Sequence, residues 1–362
     1  MTYNLLYLDD DPTATTIADG FRTTGLINIT VQRPTEFESQ LEELIAGQEG
    51  IDGLILDLKL DDNLSGERKA RYTATSLASL VRSKVKEKVW KKEFPIFLFT
   101  TISKSNNLFS SDANSRDLFD WIFLKEEISN SSIQFRIHAI IEAYSKIGMD
   151  KPNLPTILDL ENLSRLDKRI FPSYLDEFSS VFNFSRYILN ELIVAPGPLI
   201  DEYYLSSRLG CDVKASEDWD ILKNEILKEA KYSGVFSNAF DRWWMYKLND
   251  WWQSIEKENT LASLDARERV EILSERLGLK RLIVAEPIKK SSSYRYWTVC
   301  QGFNRPLDPR EGLRIDEKDP LPWQETRYIS IEAALERVRR DQGLKVHPLE
   351  RERFNDIKKT FS

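Results

Sequence analysis

The chain has 362 residues, 41% of them hydrophobic, and a net charge of −7, a length that favours two domains over a single core. About −6 of that charge falls in residues 1–150, where 17 Lys and Arg face 23 Asp and Glu, so neither half has the broad basic excess that drives nucleic-acid backbone binding. The absence of any run of eighteen apolar residues or of a basic-then-apolar leader, together with two distant cysteines, Cys211 and Cys300, leads us to expect a soluble cytoplasmic protein without a disulfide framework.

Four short apolar runs punctuate the first half. Tyr3–Leu8 stops on Asp9-Asp10-Asp11, Gly53–Leu56 on Asp57, Pro95–Phe99 on Thr100-Thr101, and Trp121–Leu124 on Lys125. Continuous apolar runs of this length read as buried parallel strands. In an open α/β sheet the ligand site lies beyond the carboxyl ends of such strands. Carboxylates, a hydroxyl and one lysine would then converge on one point, a set suited to a divalent cation and a phosphoryl group. Asp11, before Pro12, reads as a helix-capping residue.

Asp-Asp, Asp, Thr and Lys at four strand ends in this order resemble the receiver domain of bacterial response regulators over residues 1–147, with Ser132–Lys146 as the last helix. The fold implied is a doubly wound five-stranded parallel sheet, flavodoxin-like. The resemblance makes Asp57 the phosphoacceptor, attacking the phosphohistidine of a partner sensor histidine kinase. Asp10 and Asp57 would each give an oxygen to Mg²⁺, with the backbone carbonyl of Lys59 as a third ligand and Asp9 acting through a metal-bound water. Lys125 and Thr100 would contact phosphoryl oxygens.

The chain also departs from the receiver pattern. Glu126 follows Lys125 where the family usually has proline. Ile122 stands three residues before Lys125, where the family's inward-turning aromatic would be, and Trp121 and Phe123 should face elsewhere because strand side chains alternate. After Asp57 a longer loop, Leu60–Arg68, replaces a short turn, and the next helix is expected to begin near Thr73 or Thr75. Lys59 and Ile102, which resemblance places beside the path of hydrolytic water, cannot serve as a general base, so slow self-dephosphorylation is expected.

Residues 148–156 have the proline and polar content of a linker, and residues 157–362 read as a mainly helical, protein-binding domain. Helices are expected at Pro172–Val194, Pro198–Leu209 closed by Gly210, Ser216–Lys231, Leu261–Leu277 closed by Gly278, Ile331–Asp341 and Pro348–Lys359. The stripe Phe240, Trp244, Leu248, Trp251 and Ile255 predicts a core-facing helix rather than a base-stacking platform. Arg281–Glu286 and Tyr294–Cys300 read as a small β-hairpin, and Gly302–Trp323 as a proline-fixed loop open to either recognition or packing. With His138 and His347 the only histidines, a zinc site is not expected. Nor is any phosphate loop, nucleophile elbow or other separate enzymatic output evident.

Three functions stay open, one of them an enzyme whose second domain carries an active site without a recognisable motif. The first is a phosphoryl-accepting signalling or phosphate-buffering protein; its divergent receiver resembles those of Detocs-type anti-phage two-component systems, which implies a second receiver-bearing effector as a further partner. The alternative is a DNA-binding transcriptional regulator ending in a winged-helix-like output. Oligomeric state is not legible in the sequence.

Overall fold

The computed structural model describes residues 1–21, 24–60, 72–87, 89–90, 92–101, 113–127, 132–150, 153–171, 180–317, 320–340 and 343–361. The chain forms two compact units, each discontinuous in sequence. The first comprises residues 1–161, 173–189 and 234–239, and the second 162–172, 190–233 and 240–362. Among the described residues, no helix is long and apolar enough to cross a membrane.

The first unit runs β1 (Tyr3–Leu8), α1 (Ala14–Phe21), β2 (Ile27–Gln32), α2 (Phe37–Gly47), β3 (Gly53–Asp57), α3 (Ala74–Lys86), β4 (Ile96–Thr100), β5 (Trp121–Leu124) and α4 (Ser132–Asp150). All four strand pairings are parallel. The sheet order is β2-β1-β3-β4-β5, the doubly wound, receiver-like arrangement expected. Every residue of β3 and β4 is buried, which is why both read as unbroken apolar runs. β2 lies at the sheet edge and alternates buried Ile27 and Ile29 with exposed Asn28 and Thr30. The helix after the Asp57 loop starts where expected: Thr73 is its N-cap, accepting from the Ser76 amide at 3.4 Å. Most of the loop itself, residues 61–71, lies outside the described residues.

A buried ion pair ties the N-terminal ends of β4 and β5 together. Asp120 Oδ2 accepts from Arg82 Nη2 at 2.7 Å and from the Ile96 amide at 2.8 Å, while Tyr144 donates to Oδ1. Burial pushes the Asp120 carboxyl up despite the opposing pull of Arg82. The Arg82 guanidinium stacks 3.7 Å from the ring centroid of Phe182, which belongs to a later helix of the same unit. After α5 (Leu154–Leu158), that helix is α6 (Val181–Tyr187). Glu93 caps it: its carboxylate accepts from Val181 N at 2.9 Å, Phe182 N at 3.0 Å and Ser180 Oγ at 2.8 Å. The chain continues in π-helical turns to Val194; the expected start of this helix, residues 172–179, lies outside the described residues.

The second unit is helical with small sheets. It contains β6 (Leu199–Ile200), α7 (Glu202–Leu209), β7 (Trp243–Trp244), α8 (Met245–Ile255), α9 (Ala266–Leu277), β8 (Thr298–Cys300), β9 (Arg305–Leu307), β10 (Gly312–Arg314), β11 (Tyr328–Ser330), α10 (Ile331–Leu335) and α11 (Arg351–Phe361). The two expected glycine stops hold, with φ of +82° at Gly210 and +74° at Gly278. A Cβ on Gly210 would also lie 2.6 Å from the Ala266 Cα, so close packing requires glycine there as well. Leu248 and Trp252 are fully buried, and Trp251 and Ile255 pack on the same cluster, in keeping with a core-facing helix. Its start shifts to Met245, because Trp243 and Trp244 pair with β6 as a strand. Ser216–Lys231 breaks into short α, π and 3₁₀ turns.

The β-hairpin is present but displaced from its expected position. β8 pairs with β9, not with Arg281–Glu286, whose Val284 instead bridges Cys211. The supposed loop Gly302–Trp323 thus supplies two strands of a four-stranded sheet, order β10-β11-β8-β9. Pro306 is accommodated because β9 is an edge strand.

Candidate phosphoacceptor site

In this sheet the strand order reverses direction at β1, with β2 on one side and β3 on the other. Crossovers leave to opposite faces there, opening a crevice beyond the carboxyl ends of β1 and β3. Asp9 and Asp10 follow β1, and Asp57 is the last residue of β3. Ligand atoms of these three carboxylates lie within 4.8 Å of one another. Thr100 ends β4 fully buried, and Lys125 follows β5 directly.

Lys125 is the centre of the arrangement. Its Nζ lies 2.8 Å from Asp9 Oδ2 and 2.6 Å from Asp57 Oδ1, bridging the carboxyl ends of β1 and β3. Asp57 Oδ2 accepts from the Lys59 amide at 3.0 Å, while the buried Oδ1 faces the Lys125 ammonium. Burial pushes the Asp57 carboxyl up, and Lys125 opposes this without cancelling it. For Lys125, burial would depress the ammonium, but Asp57 and Asp9 outweigh that and hold it above its usual range.

Asp9 is only 1% exposed. Its Oδ1 accepts from the Asp11 amide at 2.9 Å, and its Oδ2 accepts from Tyr7 as well as Lys125. Asp11 turns away to accept from the amide and hydroxyl of Thr13 at 2.8 and 2.7 Å. This is the local side-chain turn of a residue preceding a helix. Asp10 is the more accessible member of the cluster. The Lys59 side chain is exposed, and its backbone bridges Thr73. Ile102 lies outside the described residues.

The donor set fits Mg²⁺: three carboxylates in reach of one another, offering the hard oxygen ligands that this cation prefers, beside a lysine ammonium. Sequence reasoning assigned no role to Tyr7, Arg82, Glu93 or Asp120. Only Tyr7, two residues before Asp9 on a strand and hence on the same face, carried a readable signal.

No protein-family model matches this sequence, and no curated protein matches it. Among solved structures it is similar to the RcsB response regulator of Salmonella typhimurium, at 14% identity and a TM-score of 0.25, over 51% of this chain and 88% of that one.

Proposed function

We propose that Asp57 accepts a phosphoryl group from the phosphohistidine of a partner sensor histidine kinase, making this a response-regulator-like signalling or phosphate-buffering protein. The observation that carries the reading is the Lys125 bridge between Asp9 and Asp57 at the strand-order reversal. A charged lysine on the nucleophile marks where an incoming phosphoryl oxygen would be met.

In the proposed step an Asp57 carboxylate oxygen attacks phosphorus, the N–P bond breaks, and the departing imidazole of the kinase retains its electron pair and takes up a proton. Mg²⁺, when bound, neutralises charge on the transferring group. Asp10, Asp57 and the Lys59 carbonyl would hold it, with Asp9 placed to hold a metal-bound water. Lys125 exchanges its carboxylate partners for a phosphoryl oxygen, and the Thr100 hydroxyl donates to another.

Incubation with phosphoramidate and Mg²⁺ should add one phosphate by intact mass spectrometry. Asp57→Ala should remove it; equal labelling of that variant would refute the assignment. Lys59 and Ile102 support a long-lived acyl phosphate, since neither can deprotonate water. After donor removal the label should persist for minutes or longer in the parent and decay faster in Ile102→Glu. Decay within seconds in both would remove the phosphate-holding reading and leave the acceptor reading intact. An anti-phage setting with a second receiver-bearing effector belongs to the same proposal. It requires transfer of label from a cognate kinase to Asp57 in competition with that effector.

A DNA-binding output finds no support in the second unit, where the segment expected to form a wing is instead split between a bridge to Cys211 and the β8–β9 pair.

A further inference from the structure

We propose that Tyr7 is a positioning residue for the cation: its hydroxyl fixes Asp9 in the orientation that meets a hydrated Mg²⁺ once Lys125 has turned to the phosphoryl group. The inference rests on reading Asp9, Asp10 and Asp57 as a Mg²⁺ site.

Two donors converge on Asp9 Oδ2, the Tyr7 hydroxyl and Lys125 Nζ. They are not equivalent. Lys125 is shared with Asp57 and is the group that must move when a phosphoryl oxygen arrives. Its departure would leave a carboxylate that is 1% exposed with one backbone donor, the Asp11 amide on Oδ1. A buried carboxylate so depleted of donors loses what fixes its orientation. Tyr7 is the donor that stays.

The surroundings of Tyr7 allow it no other place. It sits on a central strand, registered against Val31 of β2 and Ile55 of β3, and is fully buried. Its ring meets Phe99 edge-on at 5.6 Å, and Phe99 in turn packs on Phe123 at 5.4 Å and Phe21 at 5.7 Å. Phe99 immediately precedes Thr100, and Phe123 stands two residues before Lys125. The phenol is thus wedged into the aromatic layer beneath the site, with its hydroxyl aimed at Asp9. The expected inward aromatic before Lys125 is replaced by Ile122, which packs into the apolar cluster on the other side of the sheet's core. The aromatic hydroxyl of this site comes from β1 instead.

Isothermal titration of the full chain with Mg²⁺ tests this, using the parent, Tyr7→Phe, Asp9→Asn and the double variant, with Asp10→Asn as a reference for a lost direct ligand. Tyr7→Phe retains the ring and should weaken Mg²⁺ binding about 10-fold, the lower end of the usual scale for an outer partner of a metal site. In the Asp9→Asn background the same change should have no further effect, because the hydroxyl acts through Asp9. An unchanged Kd for Tyr7→Phe, or an equal loss with and without Asp9, overturns the inference and leaves the Mg²⁺ site standing. A parent and Asp10→Asn that both fail to bind Mg²⁺ would remove the metal reading, and this inference with it.

Discussion

At the scale of single residues, the site carries a cost that its chemistry explains. The Asp57 carboxyl is pushed up by burial more than Lys125 pulls it down, so its ionised form is less favourable in the folded chain than in the unfolded one. A raised carboxyl contributes stability when protonated, and that contribution is lost as pH rises through its folded pKa. At pH 7 without Mg²⁺, Asp57→Asn should therefore melt a few degrees above the parent. The margin should shrink as pH falls toward the ordinary carboxylate range, and adding Mg²⁺ should raise the parent selectively. A variant that melts below the parent at pH 7 would mean that the lost Lys125 ion pair outweighs the relief. The strand-end residues were legible because each terminates an apolar run, where sequence position and spatial position coincide. Tyr7 was harder to see: a tyrosine inside an apolar strand looks like core, and its spacing from Asp9 is a slight signal beside the hydroxyl contact itself.

At the scale of elements, β3 and β4 were readable because strands buried on both faces are uniformly apolar, and β1 and β5 because apolar residues dominate them despite an exposed Asn4 and a partly buried β5. The edge strand β2, alternating Ile27, Asn28, Ile29 and Thr30, lacks that signature. The hairpin of the second unit was misplaced because Arg281–Glu286 has a strand's composition but bridges Cys211, and no local pattern encodes such a partner. Nothing near Glu93 signalled that it caps a helix 88 residues later. That cap offers a test. Glu93→Ala removes acceptors for two first-turn amides and the Ser180 hydroxyl, a loss of about 1 kcal/mol by analogy with other caps. Hydrogen exchange at Val181 and Phe182 should accelerate, while exchange in β1 and β3 stays as in the parent. Unchanged protection at Val181 would show that the cap contributes little.

At the scale of the whole molecule, the unit that carries Asp57 is not a continuous stretch of chain. Beyond its α/β portion it takes in α6 and residues 234–239, where Val235 donates to the Ile157 carbonyl at 3.0 Å. A fragment ending at residue 147 would keep all five strands but lose the Phe182 ring over Arg82 and the helix capped by Glu93. Its thermal transition should fall several degrees below that of the same unit in the full chain, measured by calorimetry; coincident transitions would show that the later segments add nothing to its stability.

The interleaving also has a consequence during synthesis. Residues through 161 can leave the ribosome with Asp9, Asp10, Asp57, Thr100 and Lys125 already in hand, yet the last piece of that unit, 234–239, follows about 80 residues later. At ~5–20 residues per second that is a delay of roughly 4–16 s. During this interval the nascent chain holds a complete acidic centre on an incompletely covered scaffold, open to other molecules before the finished protein exists.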